Sequence, residues 1–523
     1  MRSARKHGTK AESAKVGAAW PPHAAGENVM GVRMRVHQEI CHRFRTCTAV
    51  GGMLLVTGCA GERTVPGEDE AAHERSHVAG MAAHHICSGV FVVGRDYERS
   101  VDEVVAQDIR RFPLFNWQDD FEYGVNFETR TASVSAADFG TRSAEYNGDQ
   151  GCTILPAELD DVTYEPQVVE RLIPDPDATA WPTGDVGAYH DPPPPEVDME
   201  ALDAALDWTM AQSEHNTRAL VVIYAGRILG ERYAPGFTRN TPQISWSQGK
   251  SIASALVGAA IQAGHLDAGL DDPAPVPEWQ GEDDPRREIR IRDILNMSSG
   301  LDFLNLGLTD SLSWTHTNEH FQIYFEGIDV FEHAIDQPMD TLPGAIFRYR
   351  NSDPLTANRI VRQAAEARGE DWLTYPQRIL FDRIGARDYV LETDAWGNFI
   401  ITGYDYGSAW DWGRFGLLHL WDGVWPTPDG GSDRILPEGW VDFVSTPAPG
   451  AEALEYGGLF WLNRGGSLPR APEDAYWAAG FMGQYTVVIP SYDLVIVRLG
   501  PSPGDTGAYL SDIIGEVTDA IDR

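Results

Sequence analysis

Residues 245–252 read Ser-Trp-Ser-Gln-Gly-Lys-Ser-Ile and run into an apolar segment. From 252 to 261 apolar side chains recur at helical spacing on two adjacent rows, and Gly264 follows as a typical helix stop. A helix that is apolar on more than one face is buried. Ser247 and Lys250 are three residues apart, so they lie on the same side of the helix start. The stretch therefore predicts a buried helix that begins with a serine and a lysine side by side.

Lys250 can do chemistry that arginine cannot. A serine hydroxyl is a weak nucleophile and needs an adjacent base. Arginine does not deprotonate in proteins, whereas burial and the positive end of a helix can lower the pKa of a lysine from about 10.4 to near neutrality. The chain has only four lysines, and after Lys15 the only one is Lys250. This pattern predicts Ser247 as a nucleophile and Lys250 as its base; the alternative is a lysine that survives by chance in an arginine-biased chain.

Two other motifs compete with this interpretation. Residues 249–251, Gly-Lys-Ser, are shared with phosphate-binding loops, but such a loop needs glycine where this chain has Ile244. His316 and His320 are four residues apart, yet no third ligand is evident, so they are expected to be loop or surface histidines. We therefore expect neither a nucleotide nor another cofactor, and no metal site.

The two ends of the region from about 196 onward mirror each other. This region opens with a helix at 199–210 and two strands at 219–224 and 227–233. It closes with two strands at 485–489 and 494–499 and a helix at 510–521. About 250 residues rich in helical patterns lie between. This order predicts an α+β fold, in which one antiparallel β-sheet is flanked by the terminal helices and an all-helical lobe is inserted.

The composition excludes one class of partner. The 523 residues include 41 Lys and Arg against 78 Asp and Glu, a formal net charge of −37. An acidic surface repels phosphate backbones, so nucleic acid is not an expected partner. With 42% hydrophobic residues the chain can bury a large core.

The first 58 residues differ from the rest in charge and pattern. They carry nine Lys and Arg against three Asp and Glu, and end in a short apolar run before Cys59. The stretch "LLVTGC" resembles a bacterial lipoprotein signal, in which Cys59 is lipidated; the start codon could be Met1, Met30 or Met34. The alternative is a tail with a chance apolar stretch. The expectation is an exported lipoprotein, periplasmic or at the cell surface, held at the membrane through Cys59.

Three further segments follow the signal. Residues 59–85 are predicted to be a flexible tether, 86–195 an N-terminal extension and 196–523 a hydrolase domain, with four prolines at 192–195 marking the seam. If the signal is removed and Cys59 is acylated, Cys87 and Cys152 remain. In an exported protein such a pair indicates one disulfide, although two buried free thiols stay possible.

Six ordered motifs resemble one enzyme family. They are "SWSQGKS" at 245–251, "DILNMSSGLDF" at 293–303, "PGAIFRYRNSD" at 343–353, "WDWGRFGLLHLWDGVW" at 410–425, "RILPEGWVD" at 434–442 and "AAGFMGQY" at 478–485. They resemble the β-lactamase-related serine hydrolases, and most of all the class C-like 6-aminohexanoate-dimer hydrolases and esterases. The resemblance spans about 200–523. Residues 87–96 and 151–156 also resemble the extension of the dimer-hydrolase branch, so the resemblance implies a β-lactamase/transpeptidase-like fold.

The resemblance implies a role for each motif residue. Ser247 forms an acyl-enzyme, Lys250 activates it, and Tyr349 relays a proton to the leaving group and later to water. Asn351 orients the substrate or Lys250. The backbone N–H groups of Ser247 and Gln484 bind the oxyanion.

The third motif departs from the family pattern. Many relatives have Lys-Thr-Gly or His-x-Gly, where this chain has Phe481-Met482-Gly483 before Gln484. The cation that holds a substrate carboxylate is missing, which favours a small ester or amide with hydrophobic groups. The alternatives are a penicillin-recognising enzyme, of the β-lactamase or D-Ala-D-Ala peptidase type, and a non-catalytic sensor or binding protein that keeps the fold.

Overall fold

A computed structural model describes residues 68–95, 99–112, 120–156, 159, 161–302, 319–504 and 506–521. The predicted signal segment 1–58 and Cys59 lie outside these residues. Within the described ranges, no helix combines the length and the apolar character that a membrane crossing requires.

The strands, β1 to β16 in chain order, form four sheets. They are Glu122–Asn126, Thr131–Ala136, Gly140–Tyr146, Cys152–Ile154, Ala219–Tyr224, Arg227–Tyr233, Gln243–Ile244, Val390–Leu391, Asp405–Gly407, Val424–Pro426, Ser432–Arg434, Tyr456–Gly457, Phe460–Leu462, Tyr476–Gly480, Gln484–Ile489 and Leu494–Leu499. The largest sheet has seven antiparallel strands in the order β12-β13-β14-β15-β16-β5-β6. The first and last strand pairs of the hydrolase region are therefore neighbours in this sheet, through β16 and β5.

The described α-helices are numbered α1 to α11 in chain order. They are Glu68–Phe91, Val101–Val104, Met199–Ala211, Gly249–Gln262, Ile291–Leu295, Glu319–Phe325, Val330–Ile335, Ser352–Ala367, Ala409–Leu420, Trp440–Val444 and Gly507–Asp519. A short 3₁₀ helix, Trp246–Gln248, directly precedes α4.

The large sheet is buried on both faces. On β5, Leu220 and Val222 belong to the core formed with helices α3 and α11, while Val221 and Ile223 belong to the core beneath helices α4 and α9. Side chains of a strand alternate between faces, so a strand as apolar as β5 packs against helices on both sides. The predicted α+β architecture with flanking terminal helices is confirmed. The inserted lobe is not all-helical as predicted: besides its helices it carries the small sheets β7-β9-β8 and β10-β11 and the strands β12, β13 and β14 of the large sheet.

The predicted tether is wrong from residue 68 onward. Helix α1 spans Glu68–Phe91, and most of its side chains from Val78 to Val90 are buried. It lacks a polar–apolar alternation because strands and loops enclose it on most sides, and a helix buried all round has no amphipathic pattern. Helix α1 ends at Phe91, and residues 92–95 form a turn.

The extension is tied to the hydrolase region through a buried carboxylate. Glu392 accepts hydrogen bonds from the Ser88 hydroxyl at 2.8 Å and the Cys152 amide at 2.9 Å, and its other oxygen lies 2.7 Å from Nε2 of His84. A charged side chain that is fully buried needs such partners. Both regions belong to one compact unit, residues 66–523.

A disulfide joins Cys87 on α1 to Cys152 on β4, the pairing expected from the sequence. The two cysteines are fully buried and 65 residues apart in the chain. The disulfide therefore links α1 covalently to β4, next to the contacts of Glu392.

We expect the double variant Cys87→Ser/Cys152→Ser to lose stability. A crosslink over 65 residues removes conformational entropy from the unfolded chain, worth about 4 kcal/mol in the entropic model. Denaturant unfolding of both proteins, with and without reductant, measures it. Reductant should lower the stability of the parent protein and leave the double variant unchanged; equal stability of the two proteins under oxidising conditions would contradict the assignment.

Candidate active site

Ser247 sits on a strained turn at the start of a buried helix. The preceding residue, Trp246, has a φ of 51°, which is rare for a bulky side chain. Such backbone strain persists only where the surroundings enforce it, and it is concentrated at functional sites. The turn leaves Ser247 half-buried, while Lys250 in the first turn of α4 is 1% exposed.

The lysine amine and the serine hydroxyl are in direct contact. Nζ of Lys250 lies 2.9 Å from Oγ of Ser247 and donates to the Thr402 carbonyl at 3.1 Å. The same carbonyl accepts from the Tyr324 hydroxyl at 2.8 Å. When Nζ is neutral it can accept the Ser247 proton while one of its N–H groups keeps the bond to Thr402. The arrangement therefore orients the amine toward the hydroxyl.

Burial tunes Lys250 to act as a base at neutral pH. Removal from water lowers its pKa to about 7, and nearby Asp405 only partly opposes this effect. The Asp405 carboxyl is itself fully buried, and burial raises its pKa well above the ordinary value. At pH 7 about half of the Lys250 amine is neutral, against about one part in a thousand for an exposed lysine.

Tyr349 completes the cleft beside the serine and lysine. Its ring centroid lies 4.9 Å from the Lys250 amine, and the ring packs against Tyr456 and Trp461. Burial raises the pKa of Tyr349 above its ordinary value of 10.0, an effect that a hydrogen bond with Ser247 reduces. The phenol therefore stays protonated at neutral pH and is able to donate a proton.

Asn351 lies two residues beyond Tyr349, immediately before helix α8. It is fully buried and faces the Tyr324 hydroxyl, whose pKa it helps to lower against the effect of burial. The sequence expectation was a contact with substrate or Lys250. The structure places Asn351 next to Tyr324, which shares the Thr402 carbonyl with the amine, and its predicted contact with substrate or Lys250 stays a prediction.

Hydrogen bonds with Arg498 and Gly500 hold Gly483 and Gln484 in place. The Gly483 carbonyl accepts from Arg498, and the Gln484 side chain bonds to both backbone groups of Gly500. Gln484 pairs with Gly480 where the hairpin of β14 and β15 closes. These contacts stabilise the hairpin.

Gly480, at the end of β14, lies directly against the turn that carries the serine. A Cβ atom at Gly480 would come within 2.0 Å of the Ser245 carbonyl oxygen, so only glycine permits this approach. The next residue, Phe481, packs its ring 5.9 Å from that of Trp246. This approach brings the start of the hairpin beside Ser247, and the predicted oxyanion donor at Gln484 stays a prediction.

Aromatic rings pack around Trp246, the residue before Ser247. Around the Trp246 ring, the centroids of His85, Phe112 and Phe481 lie at 5.2, 5.3 and 5.9 Å. Burial lowers the pKa of His85 to about 3, so it packs as a neutral ring. His85 is on α1 and Phe112 is in the extension, so residues before the hydrolase region pack against the turn that carries Ser247.

Three groups at the site have no sequence signal of their own. Thr402 acts through its backbone carbonyl, which every residue has. No sequence pattern distinguishes Tyr324 and Asp405 from other core residues, because only the tertiary fold brings them close to Lys250. His316 and the side chain of His320 lie outside the described residues, so the structure does not bear on them.

Comparison with known proteins was made by sequence and by structure. A family model described as Beta-lactamase matches residues 202–514. The 6-aminohexanoate-dimer hydrolase of Paenarthrobacter ureafaciens is 28% identical over 359 residues, covering 63% of this chain and 86% of that protein.

Solved structures with a similar fold were also found. A family VIII carboxylesterase has a TM-score of 0.48 at 12% identity, covering 62% of this chain and 98% of its own. A penicillin-binding protein homologue from Caulobacter crescentus has a TM-score of 0.46 at 12% identity, with the same coverage.

We expect Gly480→Ala to destabilise the protein, because the added methyl group meets the Ser245 carbonyl. Overpacking of this kind costs about 1–3 kcal/mol. The control is Gly124→Ala on β1, where a Cβ has nothing within 4 Å and a change within about 0.5 kcal/mol is expected. Denaturant unfolding measures both; equal stabilities for the two variants would show that β14 does not press on the turn.

Proposed function

The chain belongs to the β-lactamase family and is a serine hydrolase, and we propose that it cleaves a small ester or amide through an acyl-enzyme on Ser247. The observation that carries the proposal is the 2.9 Å contact between Oγ of Ser247 and the buried Nζ of Lys250. With its pKa lowered to about 7, the amine can take up the serine proton near neutral pH.

Acylation begins with the neutral amine. As Oγ of Ser247 bonds to the substrate carbonyl carbon, its proton moves to Nζ of Lys250 and the carbonyl π electrons move to oxygen. When the tetrahedral intermediate collapses, the bond to the leaving alcohol or amine breaks. The Tyr349 hydroxyl gives that group a proton and regains one from the Lys250 ammonium, which leaves a neutral lysine and an ester on Ser247.

Deacylation repeats the same transfers with water. Water attacks the ester carbon and its proton passes to Lys250, and the released Ser247 oxygen recovers a proton through Tyr349 or Lys250. Tyr349 suits this relay because its raised pKa keeps the phenol protonated between transfers.

We assign the two oxyanion donors to the backbone amides of Ser247 and Phe481. The support is the close approach of β14 to the serine turn at Gly480. Donors fixed in the backbone stabilise the developing charge without reorganising, and each is worth about 3–4 kcal/mol of barrier.

The lining of the cleft supports a substrate with an apolar acyl or leaving group. Trp246, Phe112 and Phe481 form one wall, and Phe481 is 37% exposed. Neither Ala478-Ala479-Gly480 on β14 nor the following Phe481-Met482-Gly483 contains a cation for a carboxylate. The name of the Paenarthrobacter relative refers to a 6-aminohexanoate dimer, which supports a linear amide among the candidates.

Two alternatives remain as outcomes of experiment. A penicillin-recognising enzyme would show turnover of β-lactams or D-Ala-D-Ala peptides, which the missing cation disfavours. A sensor that keeps the fold would be acylated at Ser247 without releasing product.

We also propose that the protein is exported and anchored in a membrane by a lipid on Cys59. The support is the signal-like sequence before Cys59 and the Cys87–Cys152 disulfide, which suits an oxidising compartment. Mass spectrometry of the N-terminal peptide from the native membrane fraction tests this proposal; an unmodified Cys59 would contradict it.

We expect a fluorophosphonate to label the protein at Ser247 and the protein to turn over p-nitrophenyl esters or linear amides. Ser247→Ala should lose both labelling and turnover. Lys250→Arg should keep the fold but lose at least about a thousandfold in kcat/KM, because arginine cannot take up the proton. The control Ser251→Ala changes a neighbouring buried serine whose hydroxyl instead donates to the Leu459 carbonyl. Substantial turnover by Lys250→Arg would refute the role of the lysine, and labelling without turnover on any substrate would favour the sensor.

We expect kcat/KM to rise with pH through a midpoint near 7. The lysine works in its neutral form, and since its pKa is lowered to about 7, the neutral fraction grows as the pH rises through that value. Tyr349→Phe should lower the rate and leave this midpoint in place, because the tyrosine stays protonated throughout. Loss of the midpoint in Tyr349→Phe would instead identify the tyrosine as the base.

A further inference from the structure

A second group of chemically active side chains lies on helix α1, on the extension. His73 and His77 are one helical turn apart, and their ring centroids are 4.1 Å apart. Glu326, which follows helix α6, reaches them from the hydrolase region: its Oε1 lies 3.1 Å from Nε2 of His77. One ligand atom from each of the three residues lies within 4.8 Å of the others.

We propose that His73, His77 and Glu326 bind a divalent transition-metal ion, with zinc as the best match. Two imidazoles and a carboxylate are a ligand set that zinc accepts at about 2.0–2.2 Å per bond. Ligand atoms in a tetrahedral zinc site are then roughly 3.3 Å apart, close to the 3.1 Å between His77 and Glu326. Small side-chain rotations bring the third ligand to the same spacing, and water takes the fourth position.

Packing and hydrogen bonds order His77 and the segment that carries Glu326. His77 is 2% exposed and its ring stacks on Phe325 at 5.7 Å. Phe325 is in turn fixed by its carbonyl, which accepts from Arg142 at 2.6 Å, and Arg142 also donates to the Ser76 hydroxyl. Binding at a site whose ligands are already ordered costs little conformational entropy.

The charges around the site determine its affinity for a metal ion. The guanidinium of Arg142 interacts electrostatically with Glu326 and opposes a second cation there. The carboxylate supplies the only negative charge among the three ligands, so the affinity should depend steeply on Glu326.

The ion would act as a clamp and take no part in the hydrolytic reaction. It would join α1 to the end of α6, two residues beyond Tyr324, whose hydroxyl donates to the Thr402 carbonyl shared with Lys250. The proposal does not depend on the proposed hydrolase activity, because metal binding and thermal stability are measured without substrate.

The test uses the full chain, purified through a tag without histidines and freed of metal with a chelator. Titration with Co²⁺ should give visible absorption bands of a tetrahedral or five-coordinate ion at one per chain. Calorimetry should give a Zn²⁺ affinity, and Zn²⁺ should raise the Tm of the parent protein.

Three variants separate a designed site from chance binding. Glu326→Gln keeps a side chain able to hydrogen-bond His77, so the fold is retained, and should weaken Zn²⁺ binding at least about tenfold. His73→Gln should weaken Zn²⁺ binding to a similar extent. It replaces Glu326→Gln in the test if that variant does not fold. The control is His190→Ala, which removes a half-buried histidine from another part of the fold and should bind Zn²⁺ like the parent.

The result that supports the proposal is loss of affinity, of the Co²⁺ bands and of the Tm rise in both ligand variants but not in the control. Absence of stoichiometric binding to the parent protein would overturn it. So would equal affinity in the parent and in both ligand variants, because the bound metal would then lie elsewhere.

Discussion

The chemistry of this protein depends on taking one amine out of water. Lys250 is buried at the start of α4, where desolvation makes its charged form costly and lowers its pKa to about 7. The Thr402 carbonyl holds the amine while leaving it 2.9 Å from the Ser247 hydroxyl. An exposed lysine at the same distance would be almost entirely protonated and could not accept the serine proton. This contact between Lys250 and Ser247 depends on three elements: the buried helix α4, the strained turn at Trp246 and the loop that carries Thr402.

The extension belongs to the active-site architecture. It is fixed to the hydrolase region by the buried Glu392 contacts and closed by the Cys87–Cys152 disulfide. Its Phe112 also packs, together with His85 of α1, beside the turn that carries Ser247. Selectivity for the substrate is therefore expected to depend on residues well before the first strand of the large sheet, as well as on the catalytic motifs.

The sequence predicted the parts of the structure that have a local pattern. The strands at 219–224 and 494–499 and helix α11 follow from periodicity, and the serine–lysine pair follows from spacing and residue type. Helix α1 was missed, because a helix enclosed on most sides has no amphipathic pattern. The close approach of Gly480 to the Ser245 carbonyl is a tertiary contact that no sequence spacing reveals. Thr402 could not be predicted, since its contribution is a backbone carbonyl.

The titration of Lys250 in the folded protein tests the central claim most directly. The chain has only three other lysines, Lys6, Lys10 and Lys15, so selective ¹³C labelling of the lysine ε-carbons gives an NMR spectrum with few signals. Lys250→Arg identifies the signal that belongs to the site. The account predicts that this signal titrates with a midpoint near 7. A midpoint above 9 for Lys250 would mean that the amine is charged at neutral pH, and would contradict its role as the base.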